Sequence, residues 1–139
     1  MEVELHLPPI PDVELVAAKA VEVVGRSLGM GAQHIEATAV ATVEACLNAL
    51  EHSGAGEVLI RVRTGTKDGG PYLEIEVEDH GVGFDPNSVP QAGRSRVHGC
   101  VSKRGWGLTL IDELVDEVDV QSRPGLTIVR MRKLVGKGS

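Results

Sequence analysis

Apolar residues alternate with polar ones in several short stretches of the chain, which is the pattern of strands with one buried face. The alternation predicts five strands, over residues 3–7, 58–63, 73–79, 118–121 and 126–134. The second and third strands flank Lys67-Asp68-Gly69-Gly70-Pro71 and are therefore expected to form a hairpin. The last two strands are joined by Arg123-Pro124-Gly125.

The predicted hairpin has one aliphatic face and one charged face. On the charged face, Arg61 and Arg63 oppose Glu74, Glu76 and Glu78, a favourable cross-strand arrangement for an exposed surface. An antiparallel sheet with one wet face needs cover only on its dry side. The pattern therefore predicts a two-layer α+β sandwich with helices on one face.

Apolar residues at helical spacing predict three helices. Asp12 is expected to cap the first, and Gly25, Gly29 and Gly31 are expected to break it. The second is predicted from about Gln33 to Ser53. The third follows a Gly-rich segment, and its acidic residues are expected on its exposed side: Asp112, Glu113, Asp116 and Glu117.

A polar stripe runs along the end of the second predicted helix. Glu44, Asn48 and His52 recur every four residues, so they share one side of the helix. Polar helix faces usually point to water. Both a solvated face and the lining of a site fit this stripe when it is taken alone.

A carboxylate is predicted on the dry face of the sheet. Because the apolar side chains at 73, 75 and 77 point inward, the alternation turns Asp79 inward as well. A buried carboxylate is costly unless it is paired. Asp79 either caps the next turn or contacts a ligand, and Gly81 and Gly83 behind it would allow a tight bend and close approach of a planar ligand.

Residues 85–104 show no convincing periodicity, and they contain several basic residues within an acidic protein. A loop of this length is typical of a functional lid or of a flexible surface segment. It ends in Lys103, Arg104, Gly105 and Gly107, directly before the third helix. Amides at a helix start, flanked by basic side chains, form a plausible phosphate cradle, although a simple loop-to-helix junction fits equally well.

Thr127 is the single hydroxyl predicted on the dry face of the last strand, where Val129 and Met131 follow it. Threonine and valine are interchangeable as strand fillers. A ligand contact is the alternative, because the residue would lie beside the strand of Asp79.

The bulk composition restricts the class of protein. With 139 residues and 42% hydrophobic content, the chain is long enough for one globular domain with its own core. A net charge of −6 argues against general nucleic-acid binding. Cys46 and Cys100 lack metal-ligand spacing and suggest free thiols. No signal peptide or apolar span is recognised, so a cytoplasmic protein without a membrane partner is expected.

Taken in order, these features resemble the GHKL superfamily of ATP-binding domains, which includes gyrase, Hsp90, MutL and histidine kinases. EACLNALEH (44–52) resembles the N box, DHGVGF (79–84) the first glycine box and RGWGL (104–108) the second. Gly125-x-Thr127 is similar to a further element of the family. The resemblance covers nearly the whole chain and implies a Bergerat-type fold, with a mixed, mostly antiparallel sheet.

The resemblance implies one domain over residues 1–139, with a lid at about 85–104 and a frayed tail at about 135–139. It assigns Mg²⁺ coordination to Asn48, the adenine amino group to Asp79 and general-base catalysis to Glu44. The further ATP-binding residues that it implies are Gly81, Gly83, Lys103, Arg104, Gly105, Gly107, Leu108 and Thr127.

Within the superfamily, the chain is most similar to the bacterial anti-sigma-factor serine/threonine kinases of partner-switching systems. The glutamate four residues before the asparagine, the histidine four after it and the run LIDELVDEVDV (110–120) carry this likeness. The implied partners are an anti-sigma-factor antagonist, as phosphorylation substrate, and a sigma factor. Kinases of this type are commonly homodimers.

The sequence also fits two alternative functions. The chain could be a nucleotide-dependent binding module without phosphotransfer, or a kinase acting on scaffold proteins of a signalling complex. The segment after His52 is shorter than is usual in the family, and His98 and Cys100 are unusual in the lid. His52 is expected to be structural.

Overall fold

A computed structural model describes residues 1–52, 56–81, 96–98 and 105–135, with side chains described except at 52, 96–98 and 105–109. Its strands are β1 (Glu2–Leu7), β2 (Val58–Lys67), β3 (Gly70–Asp79), β4 (Arg96–His98), β5 (Glu117–Arg123) and β6 (Leu126–Leu134). They form one sheet in the order β1-β2-β3-β6-β5-β4. Every pair is antiparallel except β4 with β5, so the predicted mixed, mostly antiparallel sheet is confirmed.

Three helices cover one side of this sheet: α1 (Glu14–Ser27), α2 (Ala32–His52) and α3 (Gly105–Leu114). Helix α2 packs between the other two and contacts β2, β3 and β6. The core between the layers is aliphatic, and its largest fully buried side chains include Ile60, Leu73, Ile75, Ile111 and Met131. The predicted two-layer α+β sandwich is therefore confirmed. No helix among the described residues is long and apolar enough to cross a membrane.

The predicted hairpin is present, and its turn explains its register. Asp68 and Gly69 both have positive φ, 53° and 80°, as the two central residues of a type I′ turn require. The turn places Val58 opposite Asp79 at the far end of the hairpin. The short strand β4 lies within residues 85–104, where no strand was predicted.

The start of the first helix differs from the prediction. Asp12 does not cap it: Val13 occupies the N-cap position without a side-chain hydrogen bond, and Asp12 itself has a φ of 66°. Gly25 also lies inside α1 and does not break it. A Cβ at Gly25 would lie 3.0 Å from Ile35 Cγ1, so this glycine lets α1 and α2 approach closely.

The outer face of the sheet carries the predicted charges, but its central glutamates are buried, with Glu74 only 4% and Glu76 only 6% exposed. Arginines from both neighbouring strands cover them. Arg61 Nη1 donates to Glu76 Oε1 at 2.8 Å, and Arg130 Nη2 donates to Glu76 Oε2 at 2.9 Å. Arg132 Nε donates to Glu74 Oε1 at 2.7 Å. The prediction of an exposed face is wrong here, because β6 adds a second row of arginines beside β3.

Two further local predictions are corrected near the C-terminal end. Asp112 is buried, because α3 contacts α2 as well as β5, and Asp116 and Glu117 lie beyond the end of the helix. Val135 was predicted to begin a frayed tail, yet it is buried and its N–H donates to Pro71 O at 2.9 Å. Residues 136–139 lie outside the described residues.

Candidate active site

Polar side chains form a row across the helix-covered face at one end of the sheet. Asp79 of β3 pairs with Thr127 of β6, and Thr127 pairs with Ser122 of β5. Directly paired residues project to the same face. All three are buried among otherwise apolar inward positions. The structure thus brings Asp79 and Thr127 together, as the alternation predicted.

Asp79 ends β3 and is only 3% exposed. Its Oδ1 accepts a hydrogen bond from the Gly81 N–H at 3.0 Å, which is the turn-capping contact considered from the sequence. No hydrogen bond to its other oxygen is present among the described residues. Burial raises the pKa of the carboxyl above its usual range, although the Gly81 N–H opposes that shift. The other carboxylate oxygen of Asp79 could accept a hydrogen bond from a ligand.

Asn48 lies on α2 and is 6% exposed. Its Oδ1 is buried and has no hydrogen-bond partner within the described part of the chain. A buried oxygen without a hydrogen-bond partner lowers the stability of a folded protein, so a functional reason for its presence is expected. An amide oxygen suits a hard cation such as Mg²⁺, which takes few protein ligands beside phosphate and water oxygens. The residue therefore fits the metal implied by the resemblance.

Glu44 lies one helical turn before Asn48 and is partly buried. Helix α2 packs against β3 and β6, the strands that carry Asp79 and Thr127. His52 is the last residue of α2, and its side chain lies outside the described residues.

The two glycine motifs lie only partly within the residues that the structure describes. Gly81 is buried directly after the Asp79 turn. Gly105 begins α3, whose first turn also contains Gly107 and Leu108. This places a helix N-terminus where the second glycine motif was recognised, which is the arrangement that exposes amides to an anion. Four predicted positions lie outside the described residues, namely Gly83, Cys100, Lys103 and Arg104.

Ser122 was not singled out from the sequence, although it belongs to the same row. Its Oγ lies 2.7 Å from Thr127 Oγ1, and both hydroxyls are buried. The alternation of Val118, Val120 and Ser122 on the inward face of β5 was the available signal. Its significance depends on the pairing of β5 with β6, which the sequence does not reveal.

Cys46 lies fully buried on α2 as a free thiol. Burial, with a smaller contribution from Glu14, raises its pKa to about 12. A thiol in this state is inert, so it acts as a small apolar side chain of the core.

Residues 10–133 match the histidine kinase-like ATPase domain family, and the chain belongs to that family. Among curated proteins it is similar to serine-protein kinase RsbW of Bacillus velezensis, with 32% identity over 97% of this chain and 87% of the relative. RsbW of Bacillus subtilis is 31% identical over the same shares of both chains.

Solved structures support the same fold. The structure of the RsbU and RsbW domains of Rv1364c from Mycobacterium tuberculosis matches 96% of this chain with a TM-score of 0.68 at 16% identity. This chain spans 32% of the length of that one. The SiaB–SiaC complex from Pseudomonas aeruginosa contains a chain that matches with a TM-score of 0.51 at 11% identity, over 96% of this chain and 89% of that one.

These comparisons confirm the resemblance stated from the sequence motifs. The chain is a kinase-like ATPase domain of the partner-switching serine-kinase family. Family membership implies the use of ATP.

Proposed function

We propose that this chain is a cytoplasmic protein serine/threonine kinase that uses Mg²⁺ and ATP to phosphorylate a small anti-sigma-factor antagonist, and that it binds and inhibits a sigma factor. The observation that carries the proposal is the buried Asp79 carboxylate, which lies beside Thr127 on a face that is lined mostly by aliphatic side chains. Similarity to serine-protein kinases over nearly the whole chain supports it.

Nucleotide binding would use residues of β3, β6, α2 and α3. The Asp79 carboxylate accepts a hydrogen bond from the exocyclic amino group of adenine, and Thr127 lies against the same base. Gly81 and Gly83 would permit close approach of the base to the backbone. The amides at the start of α3 would bind the phosphates, and Lys103 and Arg104, which precede α3 in the sequence, would add positive charge. Asn48 Oδ1 would hold Mg²⁺, which neutralises phosphate charge when bound.

Phosphoryl transfer would require a base for the hydroxyl of the substrate protein. Glu44 takes the hydroxyl proton while the oxygen attacks the γ-phosphorus. The bond from the γ-phosphorus to the bridging oxygen breaks, and ADP leaves with the electron pair. Glu44 and Asn48 are one helical turn apart on α2, so a base and a metal ligand at these two positions would lie on the same edge of the helix.

Substitution of Glu44 by Gln tests this assignment, because Gln keeps the side-chain size and cannot accept a proton. The purified variant is incubated with γ-labelled ATP, Mg²⁺ and an extract of the source cells, and labelled proteins are identified by mass spectrometry. We expect ATP affinity to stay within about twofold while transfer falls by about 10²- to 10⁴-fold. Transfer at the wild-type rate would contradict the role of Glu44.

The matched control is Glu36→Gln, which changes an exposed glutamate on the same helix and is expected to leave transfer unaffected. A wild-type protein that binds ATP and labels no protein would instead indicate a binding module without phosphotransfer. Labelling of signalling scaffold proteins in place of a small antagonist would indicate the other alternative.

A further inference from the structure

The buried row at the end of the sheet contains one polar residue that the proposed function does not use. Ser122 is 9% exposed, and its hydroxyl contacts only Thr127 among the hydrogen bonds of the described residues. Positions 118 and 120 on the same face of β5 are valines. A serine in this place therefore interrupts the apolar inward face of β5 directly beside Thr127.

The 2.7 Å contact between the two hydroxyls can hold only one proton. If Thr127 donates that proton, its oxygen can only accept from a ligand. If Ser122 donates, the proton of Thr127 is available for a ligand acceptor. Ser122 thus decides whether Thr127 presents a donor or an acceptor at the site.

The pairing of Asp79 with Thr127 indicates which direction of the Ser122–Thr127 hydrogen bond suits adenine. The base presents a donor, its exocyclic amino group, next to an acceptor, the ring nitrogen N1. Asp79 supplies the acceptor for the amino group, so its neighbour in the strand ladder should supply a donor for N1. We propose that Ser122 is a positioning residue, an inference that rests on the proposed function. Its hydroxyl donates to the Thr127 oxygen, which leaves the Thr127 proton free to be donated to adenine N1.

The test compares ATP with an ATP analogue that carries carbon in place of N1. Dissociation constants are measured by calorimetry for the wild type and for Ser122→Ala, Thr127→Val and the double variant. We expect Ser122→Ala to weaken ATP binding by about 3- to 10-fold. The same change should have little effect on the analogue, and little effect on ATP once Thr127 is valine.

A merely structural role of Ser122 gives a different pattern and would overturn the proposal. Ser122→Ala would then weaken both nucleotides equally, or weaken ATP binding in the Thr127→Val background as well. Unchanged ATP affinity would overturn it too. Thr42→Val is the matched control, because it removes another buried hydroxyl, which donates to Thr38 O at 2.8 Å, on the side of α2 away from Glu44.

A second variant guards against misfolding of Ser122→Ala. Ser122→Cys keeps the shape of the side chain but offers only a weak donor, so the same loss of ATP affinity and the same insensitivity of the analogue are expected. Failure of the proposed function gives results different from failure of the Ser122 proposal. A wild type that binds no ATP, or an Asp79→Asn variant that binds ATP normally, would contradict the adenine site itself.

Discussion

Asp79 is the residue at which folding stability and binding oppose each other most directly. Burial raises the pKa of its carboxyl, so the folded state binds this proton more tightly than the unfolded chain does. Ionisation therefore destabilises the fold. The penalty is absent below the pKa of the unfolded chain, grows as the pH rises, and is complete above the raised pKa of the folded state.

We expect Asp79→Asn to make the protein more stable at neutral pH and a weaker ATP binder. Asparagine keeps an oxygen for the Gly81 N–H but carries no charge to desolvate. The stability difference, measured by urea unfolding, should shrink as the pH falls towards the ordinary range of an aspartate. ATP affinity should drop by roughly 10- to 100-fold, the usual value of a hydrogen bond to a charged group.

The control for this experiment is Asp68→Asn, an exposed aspartate whose positive φ asparagine also tolerates. Neither stability nor affinity should change there by more than a small amount. Unchanged ATP affinity in Asp79→Asn would contradict the adenine assignment, whatever the effect on stability.

The sequence carried enough information for some residues of the site and too little for others. Asp79 and Thr127 were placed correctly because strand alternation has a period of two and needs no knowledge of pairing. Ser122 required the register between β5 and β6. Asp12 was misplaced because a capping preference is local, whereas the observed positive φ depends on how the chain enters α1.

At the scale of elements, β3 depends on charged partners from both of its neighbours. Burial disfavours the charge of Glu76, but hydrogen bonds from Arg130 and Arg61 outweigh it and lower the pKa of this carboxyl. A carboxyl with a lowered pKa stabilises the fold above its unfolded pKa. That stabilisation is lost as the pH falls through the lowered folded value.

Replacing Glu76 by Gln should therefore destabilise the sheet, because Arg61, Arg63 and Arg130 lose the charge that they surround. We expect a cost of about 2–3 kcal/mol at neutral pH, at or just below the lower bound for breaking a fully buried pair, because the arginines keep some contact with water. Urea unfolding measures it, and the difference from wild type should narrow in acid. Glu22→Gln, which breaks an exposed pair with Arg26, should cost no more than about 0.5 kcal/mol.

A cost for Glu76→Gln as small as that of the control would show that the charged outer face contributes little to stability. The sequence predicted the ion pairs between β2 and β3 from their alternation, and the structure contains them. It could not predict that the glutamates are buried, since this follows from the position of β6 beside β3, a neighbour distant in sequence.

At the scale of the whole molecule, the candidate site joins elements that the chain brings together from distant positions. Glu44 and Asn48 come from α2, Asp79 from β3 and Thr127 from β6. A ligand that contacts all of them binds the folded state and not the unfolded chain. It therefore stabilises the entire fold by mass action.

Nucleotide binding should accordingly raise the thermal midpoint of the whole domain, and Mg²⁺ should increase the rise. At a free ATP concentration about 100 times the dissociation constant, the expected stabilisation is about 2.7 kcal/mol, which corresponds to a shift of roughly ten degrees. Asn48→Leu removes the orphaned amide oxygen at similar volume. We expect this variant to unfold at or above the wild-type midpoint without nucleotide, since it loses a costly buried polar group.

With ATP, the Asn48→Leu midpoint should rise by the same amount in Mg²⁺ as in a chelator, because the oxygen that would hold the ion is gone. The wild type should show a larger rise in Mg²⁺ than in the chelator, and Glu44→Gln should resemble the wild type, since its glutamine leaves Asn48 in place. Calorimetric scans of the three proteins in both conditions measure these differences. If Mg²⁺ raises the midpoint of ATP-bound Asn48→Leu as much as that of the wild type, other ligands hold the ion. If Mg²⁺ raises the midpoint without ATP, the ion binds at a site independent of the nucleotide.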